Sequence, residues 1–338
     1  MNQPVRPSAL LVMDRQTFEV QFGSVELTRL HDLADVREPI RVDDLDAPGV
    51  SGRLADVDVL VTSWGCPLLN ADRLARLPKL KAIFHAAGTV RSFVTDEVWR
   101  REILVTNAAD ENAIPVAEFT VAAIVLAGKK APFLAQEART NRMNWWDVGA
   151  RGELSNLGRT IGVVGFSRTG RRVVGKLRDL DMDVLVADPY ANLADVAALG
   201  AKLVDLEDLL RASDVLTLHA PELPSTRHLI GGDELTLLRD GATVINTARG
   251  SLVDTAALEA ECSSGRLDAM LDVTDPEPLP PESPLYDLPN VMITPHIAGS
   301  LGSETRRMSG SALEELERFV AGQPPRSLVT PDDLAVSA

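Results

Sequence analysis

Ile161-Gly162-Val163-Val164-Gly165-Phe166-Ser167-Arg168-Thr169-Gly170 is the stretch that decides the reading of this chain. An apolar run passes through a glycine turn into a helical pattern, Arg168 to Leu180. Gly165 and Gly170 hold the outer places of a G-x-G-x-x-G fingerprint. The first glycine allows the tight turn, and the last lets helix and strand pack closely. The middle place brings the backbone up to a pyrophosphate at the helix N-terminus. Here that place is Ser167, a small residue whose hydroxyl could itself bond a phosphate oxygen. A second strand, Asp183 to Ala187, ends at Asp188, 23 residues after Gly165. An acid at about that distance is placed to accept hydrogen bonds from an adenosine ribose, and its charge disfavours a 2′-phosphate. NAD, not NADP, is the expected cofactor. The alternative is that Asp188 only starts the turn at Asp188-Pro189.

Short apolar runs alternate with helical patterns along the chain. The runs are Ala9 to Met13, Val57 to Thr62, Lys81 to Phe84, Leu104 to Thr106, Thr160 to Gly165, Asp183 to Ala187, Asp214 to Leu218, Thr243 to Asn246, Ala269 to Val273 and Val291 to Thr294. Rich in Val, Ile and Leu with little polar alternation, they suit parallel strands buried on both faces. Helical patterns include Asp254 to Gly265, Ser303 to Val320 and one long stretch, Asn112 to Thr140. Strand and helix repeated in this way predict an α/β protein with doubly wound parallel sheet. The Pro-dotted stretch Asp275 to Asn290 reads as a functional loop.

A length of 338 residues suits two domains, with crossings expected near Asn107 and Gly299. The apolar share of 45% and charged share of 25% exclude a disordered chain. No apolar run reaches the roughly 18 residues of a bilayer span, so no membrane partner is expected. Met1 to Pro7 lacks the pattern of an export signal. Cys66 and Cys262 suggest neither a disulfide framework nor a zinc site, so the expectation is a reducing, cytoplasmic setting and no metal. With 34 basic and 49 acidic residues the net charge is −15, which argues against nucleic acid as a partner.

Three residues stand just past later strands: Arg249 after Thr243 to Asn246, Glu277 after Ala269 to Val273, and His296 after Val291 to Thr294. Ligands of open α/β sheets bind outside the carboxyl ends of the strands, so all three are aimed at that region. Their segments are Asn246-Thr247-Ala248-Arg249-Gly250, Leu271-Asp272-Val273 with Glu277-Pro278, and Thr294-Pro295-His296-Ile297. Others are Leu218-His219-Ala220-Pro221 with Thr226-Arg227-His228-Leu229-Ile230, and Val105-Thr106-Asn107 with Val116-Ala117-Glu118. From about Val57 to Val320 the chain resembles the D-isomer-specific 2-hydroxyacid dehydrogenases.

The resemblance implies an NAD-dependent oxidoreductase of a small 2-hydroxy or 2-keto acid. Arg249 resembles the arginine that grips the substrate's carboxylate and carbonyl oxygen with parallel donors. His296 resembles the acid/base, and Glu277 the carboxylate that orients it and supports its charged form. Asp272 resembles the residue that holds the nicotinamide carboxamide. Cofactor contacts are implied for Gly165, Ser167, Arg168, Thr169, Gly170, Asp188, His219, Ala220, Pro221, Thr247, Ala248, Arg249, His296 and Gly299. The implied architecture is a Rossmann-like NAD domain, residues 107–298, inserted in a flavodoxin-like substrate domain, residues 1–106 plus 299–338. The implied active site lies in the cleft between them, with the crossings as hinges, and the implied assembly is a homodimer.

Two departures bear on the substrate. Phe84-His85-Ala86-Ala87-Gly88-Thr89-Val90 is similar to the family's loop whose backbone meets the substrate carboxylate, here at Gly88 and Thr89. His85 replaces an arginine there and is a candidate for touching the site. Thr62-Ser63-Trp64-Gly65 falls where phosphoglycerate-oxidising relatives carry two arginines. Trp64 could instead wall an apolar pocket or pack beneath the loop. The chain is also expected to lack the extra regulatory domain that many such relatives carry. Together these argue against 3-phosphoglycerate. The competing readings are a non-catalytic NAD-sensing module, like the corepressors of this fold, and a phosphite dehydrogenase, which keeps the same three residue types. Formate oxidation is disfavoured, since relatives doing it replace the Glu with Gln.

Overall fold

A computed structural model describes residues 6–143 and 152–336. Residues 1–5 of the segment read for an export signal, and the last two of the chain, lie outside the described residues. The chain divides into two compact units, Met1–Asn112 with Ser300–Ala338, and Ala113–Gly299. The first division falls within a helix, five residues beyond the expected Asn107.

The first unit holds a five-stranded parallel sheet of β1 (Ser8–Val12), β2 (Asp35–Val42), β3 (Val59–Thr62), β4 (Ala82–His85) and β5 (Leu104–Thr106), in the order β2-β1-β3-β4-β5. That is the flavodoxin order. Successive side chains of β1 feed opposite faces: Leu10 and Val12 pack with Leu60, Ile83 and Val105, and Ala9 and Leu11 pack with Val59, Val61 and Phe84. The helix Thr305–Val320 closes the second face through Ala312, Leu313 and Leu316.

The second unit holds seven parallel strands: β6 (Arg159–Val164), β7 (Met182–Ala187), β8 (Lys202–Leu203), β9 (Val215–Leu218), β10 (Thr243–Asn246), β11 (Asp268–Leu271) and β12 (Val291–Ile293). Their order is β12-β11-β10-β9-β6-β7-β8. The chain winds one way from β6 through β8, then returns to start again at β9. This reversal between β6 and β9 is the switch point where doubly wound sheets open to ligands.

Sequence patterning missed two strands, and both are edges. β2, Asp-Val-Arg-Glu-Pro-Ile-Arg-Val, exposes Arg37, Glu38 and Pro39, which an edge tolerates and an interior strand does not. β8 has two residues, too few for a pattern. The long helix expected over Asn112 to Thr140 is two helices, Ala109–Gly128 and Ala131–Thr140. Lys130 breaks them with a left-handed φ of 50° ahead of Pro132. A further correction concerns membranes. Ala109–Gly128 is long and apolar enough to span one by length and composition, and 44% of its most apolar window is buried inside the protein. Ala117, Ala123, Ile124 and Ala127 pack into the core of the second unit, as expected of a core helix.

The break at Lys130 carries a buried charge. Its Nζ, with the side chain 7% exposed, donates to Asp268 Oδ2 at 2.5 Å, to Thr243 Oγ1 at 3.0 Å and to the Gly241 carbonyl at 2.5 Å. Three acceptors match the three donors of an ammonium, which ties the helix break to β10 and β11. Removing one partner of such a pair leaves an uncompensated buried charge. Lys130→Met is therefore expected to cost about 3 to 5 kcal/mol. In urea unfolding, Lys130→Met with Asp268→Leu should be more stable than Lys130→Met alone. An Lys130→Met midpoint equal to wild type would show that the pair carries no stability.

Candidate functional site

Gly165 has φ of 96°, and a Cβ there would lie 2.5 Å from the Ala220 nitrogen. A Cβ on Gly170 would lie 2.0 Å from the Gly165 carbonyl oxygen. Both outer glycines are therefore required by contact, the first also by backbone conformation. Ser167 caps the helix Arg168–Leu177, its hydroxyl oxygen accepting from the Gly170 N–H at 3.3 Å. The hydroxyl proton stays available to donate outward, and the first-turn N–H groups of Arg168 and Thr169 have no acceptor within the helix. The arrangement suits a pyrophosphate.

Asp188 combines the two readings made of it. Its Oδ2 accepts from the Phe166 N–H at 2.7 Å and its Oδ1 from the Tyr190 N–H at 2.8 Å. It fixes the turn after β7 and ties it to the glycine turn, and each carboxylate oxygen still has acceptor capacity for a ribose hydroxyl. His219 is 4% exposed beneath this turn, with Nε2 against Thr217 Oγ1 at 3.0 Å and no partner for Nδ1. Ala220 abuts Gly165 from the same segment, and Pro221 follows it. A polar atom left over beside a glycine cradle fits a dinucleotide lying there.

The parallel register aligns Asn246 with Leu271, and Leu271 with Ile293, at the carboxyl ends of β10, β11 and β12. Arg249, Asp272 and His296 follow within three residues of those ends. Asn246 turns its strand end sharply: its side chain accepts from the Ala248 N–H at 3.0 Å and donates to the Arg249 carbonyl at 2.8 Å. Arg249 leaves this turn 39% exposed, with Nη1 donating to the Ala248 carbonyl at 2.6 Å. Thr247 Oγ1 lies 2.7 Å from Thr120 Oγ1 of the helix Ala109–Gly128.

Past β12, His296 stands in the left-handed region at φ of 54°. Asp272 is 3% exposed and holds that conformation. Its carboxylate accepts from Thr294 Oγ1 at 2.6 Å, the Ile297 N–H at 2.8 Å and the Ala298 N–H at 2.9 Å. Its carbonyl accepts from the His296 N–H at 2.9 Å. The resemblance assigned Asp272 to the nicotinamide carboxamide. In the structure it is first a brace of the His296 turn, a use no spacing in the sequence discloses. Gly299 ends that turn at the limit of the second unit.

Glu277 Oε1 lies 2.7 Å from His296 Nδ1. A carboxylate only accepts, so Nδ1 carries the proton and Nε2 is the ring nitrogen that Glu277 does not hold. Both side chains are about half exposed, and with Asp272, Tyr286 and Ile293 they line a cavity of about 570 Å³. The Glu277 loop is pinned by Thr255 Oγ1 donating to the Asp275 carbonyl at 2.6 Å and by Arg227 paired with Asp275 at 3.0 Å.

Four expected residues lie in the first unit. Trp64 is 44% exposed. Gly88 and Thr89 are partly exposed. His85 was a candidate for direct contact, but its ring is 2% exposed. It packs tilted against Phe93, with ring centroids 4.8 Å apart, places Nδ1 2.9 Å from Thr62 Oγ1 and bonds the Thr89 backbone. It braces the Gly88–Thr89 loop from inside. Burial pushes its pKa down to about 3, against the raising effect of the Thr89 backbone, and burial pushes His219 down to about 3 as well.

Residues 121–298 match the family described as D-isomer specific 2-hydroxyacid dehydrogenase, NAD binding domain. A D-3-phosphoglycerate dehydrogenase of Methanocaldococcus jannaschii is 32% identical over 280 residues, which are 82% of this chain and 52% of the relative. A glyoxylate reductase of Aeropyrum pernix is 33% identical over 268 residues, 77% of this chain and 79% of the relative. The crystal structure of apo D-mandelate dehydrogenase from Rhodotorula graminis has the same fold, with a TM-score of 0.82 at 23% identity over 96% of this chain and 98% of that one. The chain spans about half the length of the D-3-phosphoglycerate dehydrogenases it matches.

The two buried imidazoles set an acid sensitivity. Their folded pKa of about 3 lies below the ordinary 6.5, so the unfolded chain binds protons that the folded chain refuses. Stability from this source is complete above pH 6.5 and falls as pH drops toward 3, by up to about 1.4 kcal/mol per pH unit for each group. His85→Asn should lower stability at pH 7 yet flatten its fall between pH 6 and 4.5. An unchanged slope in chemical unfolding would mean that His85 titrates normally in the folded state.

Proposed function

The chain belongs to the D-isomer specific 2-hydroxyacid dehydrogenase family, and from that premise we propose that it transfers a hydride between NAD(H) and a small, unphosphorylated 2-hydroxy or 2-keto acid. The observation that carries the proposal is the 2.7 Å pair of His296 Nδ1 and Glu277. Glu277 fixes the tautomer, so Nε2 is a base when the imidazole is neutral and an acid when it is charged. In the reducing direction Nε2–H gives its proton to the carbonyl oxygen, and in the oxidising direction Nε2 takes it back. Arg249 holds the carboxylate and the adjacent carbonyl oxygen with parallel N–H groups.

The residues fit NAD. Gly165, Ser167, Thr169 and Gly170 would hold its pyrophosphate, and Asp188 its ribose hydroxyls, with Asp188 repelling a 2′-phosphate. When bound, it supplies or takes up the hydride. Several features of the first unit speak against a phosphorylated substrate. Thr62 is fully buried on His85, so it offers no phosphate ligand. The Trp64-Gly65 loop lies against Asp14, whose N–H donates to the Trp64 carbonyl at 3.0 Å, and a carboxylate there opposes a dianion. A homodimer remains the expected assembly.

Steady-state assays with NADH and NADPH against glyoxylate, hydroxypyruvate, pyruvate, bulkier 2-keto acids and 3-phosphohydroxypyruvate test the proposal. Turnover with NADH, best on an unphosphorylated acid, is expected. NADH binding without turnover of any acid would favour the sensing module. His296→Ala should lose about 10² or more in kcat with NADH affinity little changed. Full activity in that variant would displace His296 as the proton donor.

A further inference from the structure

Arg249 is clamped by its backbone, through Asn246, but a long guanidinium stem needs its own restraint. The restraint comes from Glu222. The backbone around Glu222 is pinned on both sides by one hydroxyl: Thr226 Oγ1 donates to the Pro221 carbonyl at 2.6 Å and accepts from the Leu223 N–H at 2.9 Å. Its side chain is then tethered, because Ser251 Oγ donates to Glu222 Oε1 at 2.8 Å. The other oxygen, Oε2, lies 4.0 Å from Arg249 Nε. Ser251 is 5% exposed and sits two residues beyond Arg249, in the 3-10 turn Gly250–Leu252 that follows it. The loop is also bound to that turn by the His228 N–H donating to the Ser251 carbonyl at 2.8 Å.

We propose that Glu222, tethered by Ser251, is a positioning residue that aims the guanidinium of Arg249 at the substrate, a role that rests on the reading of Arg249 given above. At 4.0 Å the carboxylate attracts Nε without a formed hydrogen bond, so Arg249 stays free to close on an anion. With one N–H on the Ala248 carbonyl and Nε drawn to Glu222, the Nη2 pair and the second Nη1 hydrogen are left for the incoming acid. The same charge works against the substrate carboxylate. Glu222 therefore weakens anion binding while improving its geometry.

That opposition gives a signature which a merely structural residue would not produce. Glu222→Gln keeps the shape and the Ser251 contact and removes the charge. On the best keto acid of the panel its KM should fall about threefold, as expected for a charge roughly 7 Å away in a water-like medium. Its kcat should fall about tenfold through lost aim. Ser251→Ala keeps the charge and frees the side chain, so kcat should fall without the drop in KM. Oxamate, used as a competitive inhibitor, reads binding alone: its Ki should fall with Glu222→Gln and not with Ser251→Ala. The double variant should be no slower than Glu222→Gln alone. Kinetics of Glu222→Gln equal to wild type, in a protein whose Arg249→Lys variant is impaired, would overturn the role of Glu222 and leave that of Arg249 standing. A fully active Arg249→Lys would overturn both.

Discussion

The buried carboxylate of Asp272 is the constraint on which the loops at the carboxyl ends of β11 and β12 depend. It gathers three donors from the segment after β12, and its own carbonyl takes the N–H of His296. Hydrogen bonds to a charged group are worth about 1.5 to 3 kcal/mol each, and a buried carboxylate without them would be costly. They are enough to offset a left-handed backbone at a residue that is not glycine, a cost of about 1 to 3 kcal/mol. His296 is therefore held in a conformation it would not adopt in an isolated peptide. Its ring, half exposed, reaches Glu277 from there. The brace belongs to the strand end of β11 and the imidazole to that of β12, so the parallel pairing of those two strands is what lets one hold the other.

The same construction recurs one strand over. Asn246, at the end of β10, folds its side chain back onto the chain and presents Arg249. Asn246 satisfies the loop that follows its own strand and Asp272 the loop that follows the neighbouring one; in each case a polar residue at or just past a strand end holds a loop that carries a charged group outward. Strand ends are rigid because every strand there is paired on both sides or closes the sheet. Loops alone would not hold a guanidinium and an imidazole to the tolerance of a reaction, about 1 Å.

Much of this was legible in the sequence, and what was not has a physical reason. All ten expected apolar runs match strands, eight of them interior and two, β5 and β12, at sheet edges, because burial on both faces favours Val, Ile, Leu and Ala. Gly165 and Gly170 were legible because nothing larger fits. β2 was not, since an edge may carry Arg37, Glu38 and Pro39 without penalty. The break at Lys130 was hidden by an apolar pattern that continues across it, and its cause is a lysine turned inward to Asp268. His85 looked like a site residue because it occupies an arginine's place in a binding loop, yet its ring faces the core. Asp272 and Glu222 carry no signal of their bracing roles, because each acts through partners distant in sequence, Thr294 to Ala298 for one and Ser251 for the other.

The helix Ala109–Gly128 shows how a property readable as membrane affinity serves a polar task. Its apolar residues are buried in the core of the second unit, which leaves Thr120 as a fully buried hydroxyl with two oxygen neighbours. Thr120 Oγ1 lies 2.8 Å from the Val116 carbonyl and 2.7 Å from Thr247 Oγ1. A carbonyl can only accept, and a hydroxyl has one proton. Thr120 therefore gives its proton to Val116, and Thr247 must give its own to Thr120. The Thr247 hydroxyl, beside the turn that carries Arg249, is left with lone pairs alone. Whatever polar group of a ligand meets that hydroxyl has to be a donor. A helix that by composition could lie in lipid thus fixes, through one threonine, the direction of a hydrogen bond next to the proposed site.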